Sequence, residues 1–168
     1  MAERIIMDTT FDAFEVFQIA EQIERNGARF YRKAAQLFDT PAIRNMFLEL
    51  VNWETRHQEV FRDMRKQLSD KSSELPTAGA QDAMFAPKAM AGLAVFGIKP
   101  DPVDELSGRE SVADVLKKAI KKEKDSIVYY TGLKEFVLPQ AGKDKIDDII
   151  KEELRHIRIL SQSLEQRQ

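Results

Sequence analysis

The chain has 168 residues, of which 43% are hydrophobic and 32% charged, and its formal net charge is −2. This composition fits one globular domain over residues 1–168 and provides no net basic field for binding nucleic acid or an anionic membrane. The chain has no Cys, which excludes disulfides, thiolate nucleophiles and iron–sulfur centres, so any metal must be bound through O and N atoms.

Two long helices are predicted in the first half of the chain, over about 9–38 and 41–68. Each has an apolar face with residues at spacings of three and four, and each face is interrupted by polar groups near its middle. These groups are Glu24 in the first helix and Glu54 with His57 in the second.

A long irregular connection is predicted over about 69–110, because four of the six prolines and four of the seven glycines fall there. A short helix over 81–96 fits its Ala and Met content. The most apolar window, 84–98, is interrupted by Pro87 and Lys88 and is shorter than the roughly 20 residues that cross a bilayer. Because residues 1–10 also lack the apolar stretch of a signal peptide, we expect a cytoplasmic protein without a membrane span.

Two further helices are predicted in the second half of the chain. Ser111 and Asp114 form a capping signature that opens the third helix, which we expect to end near Leu138. The fourth helix is predicted over about 142–165. No segment shows the alternation of a β-strand, so the sequence predicts an all-α fold: an antiparallel four-helix bundle with one long crossover between its second and third helices.

Both histidines of the chain belong to Glu-x-x-His units, Glu54 to His57 and Glu153 to His156. Residues three apart lie on the same helix face, about 4.5 Å apart along the axis. Each unit can therefore offer a carboxylate and an imidazole to one metal ion. One such unit alone is a weak signal, because a single buried His is more often a hydrogen-bonded core residue.

Glu24 and Glu123 each stand thirty residues before the Glu of one of these units. The midpoints of the two pairs are Asp39 and Leu138, where turns are predicted. In an antiparallel hairpin, residues equidistant from the turn stand at the same height, here about 22 Å along the bundle. The sequence therefore predicts that four carboxylates and two imidazoles meet near the middle of the bundle.

Three other residues are candidates to support the ligands. Tyr31 and Tyr130 each follow one of the isolated glutamates by seven residues, two helical turns along the same face, so each can donate its hydroxyl to a carboxylate. They fit equally well as ordinary core aromatics. Glu21 is level with His57 by the same height rule and is a candidate to orient that imidazole or to supply an extra ligand.

Four carboxylates close together in an apolar bundle would repel one another, and each would cost several kcal/mol to desolvate. Two divalent cations would balance their charge of −4. A site rich in oxygen, with one nitrogen for each metal, suits two iron ions, and manganese or zinc are alternatives.

This pattern resembles the ferritin-like di-iron carboxylate superfamily, in particular its rubrerythrin-like branch, over nearly the whole chain. The resemblance rests on the following set: Glu24, Tyr31, Glu54, His57, Glu123, Tyr130, Glu153 and His156. It implies that the glutamates of the two Glu-x-x-His units are shared between the irons, that the other two are terminal, and that each iron has one imidazole. It also implies a homodimer.

Two features depart from the rubrerythrin pattern. The chain has no Cys and therefore no rubredoxin-like iron site, so electrons would come from a separate donor protein. Rubrerythrins also typically carry another Glu one turn beyond the ligand on the third helix, where this chain has Ser126. The six ligand positions themselves are complete.

Three functions follow as hypotheses. The first is a di-iron redox protein that reduces peroxide or dioxygen with an external electron donor. The second is an iron-handling protein that oxidises or holds iron. The third is a metal-free helical interaction module.

Overall fold

The computed structural model describes residues 13–70, 105–134, 137 and 140–167. Within these ranges it contains helices and no strand, which confirms the predicted all-α class. The helices are α1 Ala13–Leu37, α2 Pro41–Asp70, α3 Val112–Leu133 and α4 Gln140–Glu165. None of the described helices combines the length and the apolar character that crossing a membrane requires. The predicted helix over 81–96 lies outside the described residues.

The predicted start of α3 is confirmed by its cap. The Ser111 hydroxyl accepts a hydrogen bond from the Asp114 N–H, and the Asp114 carboxylate accepts one from the Ser111 N–H at 3.1 Å. This reciprocal pair satisfies two backbone donors that the first helical turn would otherwise leave free.

The predicted end of α3 near Leu138 is wrong, because the helix ends at Leu133. Gly132 is a poor helix former and lies in the last turn. Beyond it, the Val137 N–H donates to the Lys134 carbonyl at 3.2 Å and closes a turn. Val137 is still buried, as its apolar character predicts, but it packs from the connection rather than from the helix.

The core consists of two apolar clusters, one towards each end of the bundle. The first apolar cluster includes Phe30, Phe47, Leu116 and Leu160, with Leu106 from the segment before α3. The second apolar cluster includes Phe17, Phe61, Leu133 and Ile146, together with Val137. Each cluster takes buried residues from all four helices, so both hairpins are held together at two levels.

The order of these contacts along the chain gives the topology. Helix α1 runs from the second apolar cluster to the first, and α2 returns, whereas α3 runs from the first to the second and α4 returns. Helices α2 and α3 therefore point in the same direction, so the chain between them passes from one end of the bundle to the other. This confirms the predicted antiparallel bundle with one long crossover.

Candidate metal centre

The six predicted ligands meet in a polar layer between the two apolar clusters. Each is at most 5% exposed, and the set is Glu24, Glu54, His57, Glu123, Glu153 and His156. Their ligand atoms form two groups, in each of which all atoms lie within 4.8 Å of one another. The first group is Glu24, Glu54, His57 and Glu153; the second is Glu54, Glu123, Glu153 and His156. Glu54 and Glu153 belong to both.

Both histidines direct Nδ1 into this layer. Nδ1 of His57 lies 2.9 Å from Oε1 of Glu153 and 3.4 Å from Oε2 of Glu24. Nδ1 of His156 lies 2.9 Å from Oε2 of Glu153. The two imidazole rings are nearly parallel, with centroids 5.8 Å apart and planes at 24°. One imidazole therefore serves each group, and Glu153 contacts both.

Several polar atoms in this layer have no hydrogen-bond partner. Among the described residues, the buried side-chain atoms in this condition are Oε2 of Glu24, Oε1 of Glu54, Nδ1 of His57 and Oε1 of Glu153. Leaving such an atom unsatisfied costs about 1–3 kcal/mol. All of them belong to the predicted ligand set, and oxygen and imidazole nitrogen are the donors that iron and manganese accept. The residues present therefore fit a pair of divalent cations.

The electrostatics of the two shared carboxyls also favour a bound cation. Burial raises the pKa of Glu54 well above its usual value, and the charges of Glu24, Glu123 and Glu153 raise it further. Burial likewise raises the pKa of Glu153 to about 8, with Glu123 adding to the effect. Without a cation, these shifts favour the protonated form of both carboxyls.

The pKa values of the imidazoles move in the same direction for a different reason. Burial alone would lower the pKa of each, but the adjacent carboxylates, which stabilise the protonated ring, outweigh the effect of burial. For His57, the carboxylates of Glu153 and Glu24 close to Nδ1 raise the pKa to about 11. For His156, hydrogen bonds with Glu123 and Glu153 raise the pKa to about 9. Protons on the imidazoles thus offset part of the negative charge that metal ions would neutralise.

The pKa of Glu123, unlike those of the two shared carboxyls, is lowered. Burial would raise this pKa, but hydrogen bonds with Glu153, His156 and Tyr31 lower it below the usual value. The ionised form of Glu123 is therefore favoured within a cluster whose shared carboxyls prefer to be protonated.

The two tyrosines cross between the hairpins. The Tyr31 hydroxyl, on α1, donates to Oε1 of Glu123 on α3, and the Tyr130 hydroxyl, on α3, donates to Oε1 of Glu24 on α1. This confirms the prediction that each donates to a carboxylate. Burial, followed by the charge of its partner carboxylate, raises the pKa of each phenol well above 10. Both hydroxyls therefore keep their protons and hold one carboxylate oxygen each.

Glu21, the candidate to orient His57 or to supply an extra ligand, has a guanidinium as its partner in the structure. Its carboxylate pairs with the Arg65 guanidinium, which donates from Nε and from a terminal nitrogen at 3.3 Å. A guanidinium is a stronger partner for a carboxylate than an imidazole is. Glu152 takes the predicted place: its Oε2 lies 2.6 Å from Nε2 of His57.

Sequence reasoning missed Glu152 for a geometric reason. The height rule relates the two helices of one hairpin, whereas His57 lies on α2 and Glu152 on α4 of the other hairpin. The available signal was a second acidic residue directly before Glu153.

Gly27 is a second residue that the sequence analysis missed. A Cβ atom at this position would lie 2.1 Å from Oε2 of Glu54, so any residue larger than Gly would displace that carboxylate from its observed position. Gly within a helix costs about 1 kcal/mol relative to Ala, and this cost was the signal of a close approach. Ser126 on α3 is the equivalent of Gly27 in the second hairpin, because it follows Glu123 by three residues as Gly27 follows Glu24. Its hydroxyl donates to the Lys122 carbonyl of its own helix at 3.1 Å.

A solved structure has the same architecture over nearly the full length. It is that of a candidate ferritin-like diiron-carboxylate protein from Thermotoga maritima, with a TM-score of 0.72 and 27% sequence identity. The match covers 95% of this chain and 98% of that chain. No protein-family model and no curated protein matches the chain. The similar fold and the Glu/His cluster confirm the predicted resemblance to ferritin-like di-iron carboxylate proteins.

Proposed function

Given a ferritin-like di-iron carboxylate fold with converging Glu and His side chains, we propose that the chain binds two iron ions and uses them to reduce peroxide or dioxygen. The observation that carries this proposal is the pair of overlapping ligand groups that share Glu54 and Glu153. A pair of carboxylates common to two groups suits two ions held close together.

Iron is the proposed metal because of the donor set and the neighbour. Each ligand group contains three carboxylates and one imidazole, a set that suits iron or manganese and also accommodates zinc. The Thermotoga maritima protein is described as a diiron-carboxylate protein. In the proposed centre, four ionised glutamates and two divalent ions balance in charge, with both imidazoles neutral.

The burial of the centre supports a small substrate. All six proposed ligands are at most 5% exposed, so a substrate would have to reach a buried centre between the helices. Peroxide and dioxygen are small enough to reach such a centre. The apolar clusters on both sides keep bulk water away, which strengthens the electrostatic interactions within it.

Two ferrous ions would supply the two electrons that, together with two protons, convert one peroxide molecule into two water molecules. The chain holds its proposed terminal ligands in place with the Tyr31 and Tyr130 hydroxyls. The Oε2 atom of Glu24 is then left facing the proposed metal position without another partner.

Electrons for a further cycle are proposed to come from a separate protein, because the chain has no Cys with which to build an iron–sulfur site of its own. A rubrerythrin-like activity, a homodimer and a cytoplasmic location remain predictions.

The test is a stopped-flow experiment on iron-loaded protein that has been reduced under anaerobic conditions. The protein is mixed separately with peroxide and with dioxygen, and the absorbance of ferric iron is followed. Rapid oxidation with iron retained by the protein supports the redox function, and the faster oxidant identifies the substrate. Rapid oxidation followed by release of ferric iron supports iron handling instead. A Glu153→Gln variant serves as the control, because it alters a carboxylate common to both ligand groups.

A further inference from the structure

The two hairpins contribute to the centre as a repeat. Each proposed ligand and each supporting tyrosine of the second hairpin stands 99 residues after its counterpart in the first. The tyrosine contacts are reciprocal as well, since each hydroxyl reaches the glutamate of the other hairpin. If only the ligands and the tyrosines are considered, the two proposed metal positions have equivalent surroundings.

The equivalence is broken at the residue that precedes each shared glutamate. This residue is Trp53 in the first hairpin and Glu152 in the second, again 99 positions apart. Each contacts the histidine of the opposite hairpin. Oε2 of Glu152 lies 2.6 Å from Nε2 of His57, whereas the Trp53 ring lies with its centroid 6.1 Å from that of His156.

These two contacts differ in what they do to the imidazole. A carboxylate accepts a hydrogen bond but does not donate one, so Glu152 requires the proton of His57 to be on Nε2. In the neutral imidazole that would bind a metal, the Nδ1 lone pair then faces the cluster, and the nearby negative charge makes that nitrogen a better donor. An indole ring accepts no such hydrogen bond from His156. The three carboxylate contacts of His156 all involve Nδ1, the inward nitrogen.

We propose that Glu152 is a positioning residue that makes the two metal positions unequal, so that the position at His57 binds a divalent cation more tightly than the position at His156. This inference rests on the proposed metal centre and specifies its order of loading. The first ion enters beside His57, and the ion beside His156 is the more readily exchanged.

The side chain of Glu152 is 31% exposed, so it can be replaced without opening a cavity in the core. The experiment is a titration of metal-free protein with Co²⁺, followed by calorimetry and by the visible absorption of the bound ion. Wild type is expected to show two separate binding steps. Glu152→Ala should weaken the tighter step about tenfold or more, and Glu152→Gln should have a smaller effect because its amide oxygen still accepts. Glu59→Ala, at an exposed position of α2, is the matched control and should change neither step.

Single-histidine backgrounds assign the effect to one position. With His156→Ala, the remaining step belongs to His57, and adding Glu152→Ala should weaken it to the same extent as before. With His57→Ala, adding Glu152→Ala should have no effect. Equal affinities in wild type, or a Glu152→Ala effect that persists without His57, would overturn the inference. If wild type bound no Co²⁺ at all, the proposed metal centre itself would be wrong.

Discussion

The α1–α2 hairpin and the α3–α4 hairpin carry the same pattern of three ligands in different surroundings. Ligands and tyrosines repeat between them, but residues around the ligands do not. The differing pairs are Gly27 and Ser126, Trp53 and Glu152, and Glu21 and Ile120. The shared part is what a pair of ions would require of both hairpins. The residues that differ between the hairpins stand close to the ligands along the chain, and they differ in size and charge.

The largest expected effect comes from breaking what the hairpins share. Glu54→Gln and Glu153→Gln each remove a charge and a ligand oxygen from both ligand groups, so both ions should be lost. Glu24→Gln and Glu123→Gln alter one group each and should leave one ion per chain. Metal content after iron loading and desalting, measured by mass spectrometry, distinguishes the two classes. Retention of two ions by Glu153→Gln would contradict the shared role of this residue.

The next effect tests the steric difference between the hairpins. In Gly27→Ala, the new Cβ atom would displace the Glu54 carboxylate, which is the mobile end of a flexible side chain. The expected result is a loss of metal affinity of about tenfold or more, with little change in the melting temperature of the metal-free protein. Ser126→Ala, the equivalent change in the other hairpin, should alter stability by less than about 0.5 kcal/mol and leave metal binding intact. Equal metal binding by both variants would argue against a steric role for Gly27.

The pH dependence of stability tests the charge that both hairpins bring to the centre. In the metal-free protein, burial raises the pKa of Glu153 to about 8, and the adjacent carboxylates of Glu123 and Glu153 raise the pKa of His156 to about 9. Glu54 and His57 shift upward as well. The folded state therefore holds more protons than the unfolded state, and stability falls as pH rises through these windows, by up to about 1.4 kcal/mol per pH unit for each group.

Urea unfolding of the metal-free protein between pH 5 and 9 measures this slope. Bound metal should flatten it over the same range, since the ions replace the protons. A metal-free protein that became more stable between pH 6 and 9 would be inconsistent with the shifts described.

The last prediction concerns the tyrosine contacts, in which the two hairpins are alike. Tyr31→Phe and Tyr130→Phe each remove a hydroxyl that donates to a buried carboxylate, and each should cost about 1.5–3 kcal/mol of stability. The two losses should be similar because the contacts are reciprocal. Tyr129→Phe is the control: its hydroxyl donates to the Val16 carbonyl at 2.8 Å, an uncharged acceptor, and its loss should cost about 0.5–1.5 kcal/mol.

The sequence predicted the ligands because their positions depend on two one-dimensional rules. Helical spacing places a Glu and a His three residues apart on one face, and equal distance from a turn places residues of one hairpin at one height. Neither rule specifies which way a side chain points around its helix, so neither predicts that Glu21 pairs with Arg65. Nor does either rule relate helices of different hairpins, which is why the contact from Glu152 was missed.

The end of α3 was misplaced for a similar reason. Apolar spacing continues through Val137, and that residue is indeed buried, but burial does not require helical backbone. The hydrogen bond from the Val137 N–H to the Lys134 carbonyl closes a turn in place of a further helical turn. The spacing of apolar residues does not predict this hydrogen bond.

The most direct test of the central claim is anomalous X-ray diffraction at the iron absorption edge from crystals of iron-loaded protein. We expect two peaks about 3.5–4 Å apart, one beside Nδ1 of His57 and the other beside Nδ1 of His156, with Glu54 and Glu153 contacting both. A fully loaded crystal with no iron between these side chains, or with its iron bound elsewhere on the chain, would contradict the account.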